Sequence, residues 1–168
     1  MRCCIVAVGK AMRGDDAAAL LLADTLQAEP VPGVDVIYSS GDVVELLSLF
    51  QTCEAVIVLD AYEAGPDDPP VLRLDALEER LPSASCCSSH GLGVAEAVQI
   101  AGEMGVMPAK LVVIAIAGYR FDIGSPVSAG MEKRLEAAKA LLLNELARLG
   151  NVCRNVDSVP FFSGHTGE

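Results

Sequence analysis

Strand-length apolar runs alternate with helix-length amphipathic ones along almost the whole chain, and this alternation constrains the fold more than any other feature. RCCIVAVG at 2–9, VDVIY at 34–38, EAVIVLD at 54–60 and LVVIAIAG at 111–118 have the length and aliphatic character of buried strands. AAALLLADTLQ at 17–27, SGDVVELLSLF at 40–50, GLGVAEAVQIAGEMG at 91–105 and AGMEKRLEAAKALLLNELARLG at 129–150 carry helical spacing. Ser40 or Asp42 is placed to cap the second of these helices. Parallel strands need such crossovers, so the pattern predicts an α/β three-layer sandwich with a twisted, mostly parallel sheet of about five strands and helices on both faces. The first run is expected to be a central strand. VLRLD at 71–75, after a loop rich in Gly, Pro and Asp, reads as an edge strand, and 75–81 as a short helical turn.

A chain of 168 residues can bury a real core without staples, so 1–150 is read as a single domain. The final segment, NVCRNVDSVPFFSGHTGE at 151–168, loses periodicity and is expected to be an extension, partly disordered or docked.

Composition narrows the function classes. The chain is 52% hydrophobic but only 4% aromatic, which fits a parallel sheet packed with Val, Leu, Ile and Ala. Its formal charge of -11 argues against nucleic-acid binding, which needs clustered Lys and Arg. The apolar run at 111–117 is far short of a membrane span, and the N-terminal run stops at Gly9 and Lys10, like a strand and unlike a signal peptide. Six cysteines make no paired CxxC zinc pattern: Cys3 and Cys4 are adjacent, Cys53 and Cys153 are isolated, and Cys86 and Cys87 stand alone before His90. They are expected to be reduced, buried or half-buried thiols, which implies a cytoplasmic protein.

Three polar residues fall where strand-to-helix loops should open at one edge of the sheet. Asp16 follows the first strand in GKAMRGDD, Asp60 ends the strand AVIVLD, and His90 sits in the polar turn SSHG. Two carboxylates and an imidazole at the carboxyl edge of such a sheet form a candidate divalent-metal or hydrolytic site. Each residue also has a plain structural reading. Asp15 and Asp16 can serve a helix N-terminus, Asp60 can be a turn residue, and His90 an ordinary loop residue. His165 in the tail is a weaker candidate. Nucleotide binding is rejected: GKAMRG is neither GxGxxG nor a phosphate loop, and two aspartates at the helix mouth would repel a pyrophosphate. Ser88 and Ser89 flank His90 without a GxSxG elbow, and Cys86 and Cys87 are remote thiol candidates, so a covalent mechanism is disfavoured.

With RGDD after the first strand and SSHGLG in the later loop, residues 3–149 resemble the endopeptidases that mature the large subunit of nickel-iron hydrogenases. The resemblance implies a monomeric, aspartyl-type peptidase. It removes the C-terminal peptide of a large-subunit precursor that already carries its nickel. It also implies that Asp16, Asp60 and His90 contact the nickel and carry the catalysis, the ion being supplied by the precursor and not resident in the enzyme. Lys10, Gly14, Ser89 and Gly91 are then candidates for substrate contact. The first turn departs from the family pattern, close to GNxLxGDDGxG, with Lys10 for the asparagine, Met12 for the leucine, and Ala17 and Ala19 for later glycines. Alanine suits a helix better than glycine, so the backbone should survive the last two changes. Two other functions fit the same residues: a non-catalytic, chaperone-like partner of a metalloprotein precursor, and another metal-assisted amidohydrolase.

Overall fold

A computed structural model describes residues 2–79 and 93–156, the last six by their backbone alone. The apolar runs form five strands, β1 (Cys3–Val8), β2 (Val34–Ser39), β3 (Ala55–Glu63), β4 (Val71–Asp75) and β5 (Lys110–Gly118). Four helices connect or follow them, α1 (Ala18–Ala28), α2 (Val43–Thr52), α3 (Val94–Met104) and α4 (Met131–Val156), and a 3-10 turn at Gly14–Ala17 precedes α1. The sheet order is β2-β1-β3-β5-β4. All neighbours pair in parallel except β4, which runs antiparallel on the edge.

Side-chain alternation along each strand feeds two separate cores. Ile5 and Ala7 of β1, Ile57 and Leu59 of β3, and Ile114 and Ile116 of β5 pack with Leu22 and Leu26 of α1 and Leu142 of α4. The intervening residues Cys4, Val6, Val56, Val58 and Val113 pack with Leu46 and Phe50 of α2 and Ala97 and Ala101 of α3. A period of two on strands against helices on both sides is the expected three-layer sandwich. Asp42 caps α2, its carboxylate accepting the Glu45 N–H at 3.0 Å.

Four expectations need correction. The middle of the sheet is β3, and β1 lies one strand in from the edge. Asp60 does not end its strand: β3 continues to Glu63 because β5 pairs with it along its full length, whereas β1 pairs only as far as Leu59. Helix α4 passes Gly150 and runs to Val156, since a single glycine weakens a helix without ending it. Finally, Cys4 and Cys53 are joined in a disulfide, with Cα atoms 6.3 Å apart. The parallel register sets Cys4 beside Val56, and its side chain points to the α2 face, where Cys53 ends that helix. Cys3, on the opposite face, is buried. The disulfide removes the support that reduced thiols gave to a cytoplasmic placement. No helix among the described residues is long and apolar enough to cross a membrane.

Candidate active site

The chain leaves β1 for β2 on one side and then crosses to β3 on the other, so the strand order reverses between β1 and β3. Helix α1 packs on one face and α2 on the other, which opens a crevice at the carboxyl ends of these two strands. Ligands of open α/β sheets bind at this switch point. Both candidate carboxylates belong to it.

Asp16 lies in the 3-10 turn that follows β1 and packs against β3. Its backbone is pinned on both sides: its N–H donates to the Arg13 carbonyl at 3.2 Å, and its carbonyl accepts from Lys10 N–H at 3.3 Å. Gly9 makes this closure sterically feasible, because a β-carbon there would stand 2.0 Å from the Asp16 carbonyl oxygen. Asp60 stands on β3 one residue beyond the end of the β1 pairing. By alternation with Val56 and Val58 it shares the α2/α3 face, and its Oδ1 accepts the Ala61 N–H at 2.8 Å. The two carboxylates are only 1% and 3% exposed, so opposite charge is felt there more strongly than at an open surface.

His90 lies outside the described residues, as do Ser89, Gly91, His165, Cys86 and Cys87. The chain re-emerges at Gly93, which sits at the same edge of the sheet: a β-carbon on Gly93 would lie 2.8 Å from the carbonyl of Gly41, in the loop after β2. Of the candidates for substrate contact, Lys10 is exposed, whereas Gly14 is buried and donates its N–H to the Ser125 carbonyl at 3.2 Å. Among the described residues, no three His, Cys, Asp or Glu side chains come together to hold a metal ion.

The neighbouring Asp15 does something the sequence does not announce. It makes no helix cap and is fully buried. Its Oδ1 accepts the Ser128 N–H at 2.6 Å, and its Oδ2 accepts the Ser128 hydroxyl at 2.5 Å and the Tyr119 N–H at 2.7 Å. Arg134 stands 3.8 Å away. Burial alone would push the Asp15 carboxyl up. The hydrogen bonds from Ser128 and Tyr119, with the Arg134 charge, outweigh it and hold the group below its usual 3.8. Nothing in the linear sequence links Asp15 to a serine 113 positions later.

At the opposite edge of the sheet, a depression of about 340 Å3 is lined by Phe50, Cys53, Val106, Met107 and Pro108. It touches none of the candidate site residues.

No protein-family model matches the sequence. No curated protein matches it either. Solved structures do. The hydrogenase maturating endopeptidase HybD from E. coli superposes with a TM-score of 0.76 at 21% identity, covering 89% of this chain and 94% of that one. An endopeptidase from Escherichia coli solved in solution gives 0.72 at 19% identity, with the same coverage of 89% and 94%. The NiFe hydrogenase maturation protease HybD from Thermococcus kodakarensis gives 0.61 at 25% identity, covering 84% of this chain and 99% of that one. Over nearly its whole described length, the chain has the fold of the nickel-iron hydrogenase maturation endopeptidases.

Proposed function

We propose that this chain is an endopeptidase that removes the C-terminal peptide of a nickel-loaded nickel-iron hydrogenase large-subunit precursor, with Asp16, Asp60 and His90 recognising the nickel. The observation that carries the reading is the pair of buried carboxylates at the β1/β3 switch point, in a chain whose fold matches enzymes of that activity. Chain connectivity supports the third member. His90 is three residues before Gly93 in the sequence, and Gly93 packs against the Gly41 carbonyl at this edge.

The donor set suits the task. Two carboxylate oxygens and an imidazole nitrogen fit a borderline divalent ion such as nickel and leave coordination positions for groups of the precursor. The nickel is part of the substrate in this reading, so the enzyme needs no resident metal and no nucleotide. An ion held between the two proteins orients the precursor and can polarise a carbonyl or acidify a water for attack. Asp16 and Asp60, both largely shielded from solvent, are the carboxylates available to meet that ion or to act as general base.

Intact mass of a large-subunit precursor, incubated with this protein with nickel loaded or withheld, tests the proposal. Loss of one C-terminal peptide only from the nickel-loaded precursor is the expected result. Binding without a mass change would replace it with the chaperone-like function. Turnover of small amides with a tightly bound zinc or manganese, and none of the precursor, would replace it with another metal-assisted amidohydrolase.

A further inference from the structure

We infer that the β5–α4 connection positions Asp16 through Asp15, with Ser128 and Arg134 as positioning residues that stand apart from the substrate. The inference rests on the reading in which Asp16 meets the precursor's nickel.

Two loops are knitted together here. Asp15 N–H donates to the Arg120 carbonyl at 2.7 Å, Gly14 N–H to Ser125 at 3.2 Å, and Gly124 N–H to Met12 at 2.7 Å. Arg13 Nε donates to the Phe121 carbonyl at 3.0 Å. The Asp15 carboxylate then takes three donors from Tyr119 and Ser128, described above, and a fourth from Arg120 N–H at 3.3 Å. Arg134 anchors this assembly from α4. Its guanidinium is buried, donates to the Ala117 carbonyl, to the Ser128 hydroxyl at 2.7 Å and to the Ala129 carbonyl at 3.0 Å, and stacks 5.0 Å from the Tyr119 ring centre.

Both oxygens of Asp15 are therefore committed to fixed donors, and its role is to fix direction. The turn carrying it has only four residues and no side-chain cap, so beyond the backbone bonds of Asp16 to Arg13 and Lys10 its orientation is held by the β5–α4 loop. Successive side chains in a 3-10 turn are separated by about a third of a revolution, with three residues per turn. Locking the Asp15 side chain onto the β5–α4 loop thus sets the angle at which Asp16 leaves the same turn. Misplacing a reacting group by about 1 Å costs on the order of a hundredfold in rate.

Ser128→Ala removes the hydroxyl that bridges Asp15 and Arg134, and Ser128→Thr keeps it. Arg73→Met is the control, because it breaks the Arg73–Glu145 pair, 2.8 Å long, between β4 and α4 away from this turn. For cleavage of the nickel-loaded precursor, Ser128→Ala should lower kcat about tenfold or more with KM within about twofold, following the scale of misplacement just given. Ser128→Thr should recover most of the loss, and Arg73→Met should lower the Tm without lowering kcat. In the free protein, amide exchange at Asp16 and Ala17 should rise at least about tenfold in Ser128→Ala, while β3 stays protected. Unchanged kcat in Ser128→Ala, or a loss matched by Arg73→Met, would overturn the inference and leave the proposed function standing. Wild-type protein that fails to cleave the loaded precursor would overturn the proposed function instead. The exchange measurement then decides alone, and an unaltered rate at Asp16 would overturn the positioning role.

Discussion

Gly9 and Asp16 are packed backbone to backbone, so closely that a β-carbon on Gly9 would fall 2.0 Å from the Asp16 carbonyl oxygen. The first strand is thereby bent directly onto the turn that carries the candidate site. Gly9→Ala has to push that turn away or strain the backbone. A loss of roughly 1–3 kcal/mol is expected from such overpacking, together with a drop in precursor cleavage larger than the stability loss explains. Urea unfolding and cleavage rates on the same preparation check it, and wild-type stability would contradict the packing.

The Asp15 carboxylate contributes a pH-dependent share of stability. Its folded pKa lies below the usual 3.8, so the native state holds fewer protons than the unfolded chain in that range. Its stabilisation is complete above about pH 5 and is lost as the pH falls through and below 3.8 toward the folded value. The stability gap between wild type and Asp15→Asn should therefore be wide at pH 7 and shrink progressively as the pH falls below 3.8. Urea midpoints at several pH values measure it, and a constant gap would contradict the assigned direction.

The Cys4–Cys53 disulfide closes a loop between residues 49 apart in sequence. Constraining the unfolded chain to that degree is worth roughly 2–4 kcal/mol. Reduction, or the Cys4→Ser/Cys53→Ser double variant, should lower the Tm by several degrees and leave the far-ultraviolet circular dichroism native. Thiol labelling and peptide mapping of the denatured, unreduced protein should find Cys4 and Cys53 blocked. Reactive Cys4 and Cys53 would contradict the bond.

The sheet was legible because strand and helix periodicities are local properties of the chain. The runs at 34–38, 71–75 and 111–118 became β2, β4 and β5 almost residue for residue. The extension of β3 past Asp60 was not legible, since it depends on pairing with a strand some 50 residues later, and β5 pairs with Ala61, Tyr62 and Glu63 at no cost visible in the sequence. The Cys4–Cys53 bond is likewise a product of parallel register, not of spacing. Asp16 and Asp60 could be picked out because each follows or closes an apolar run at the edge where open sheets bind ligands. Asp15 was read as a helix-end acid, and its real partners, Ser128 and Arg134, lie in a loop and helix whose sequence carries no motif.

The central claim is that Asp16, Asp60 and His90 act together on a nickel-loaded precursor. The most direct test is single-turnover cleavage, followed by intact mass, with wild type, Asp16→Asn, Asp60→Asn and His90→Ala. The account predicts that each substitution slows cleavage by about a hundredfold or more, as expected for loss of a directly participating group, while nickel-free precursor is untouched by all four proteins. Full cleavage by any of the three variants, or equal cleavage of nickel-loaded and nickel-free precursor by the wild type, would contradict it.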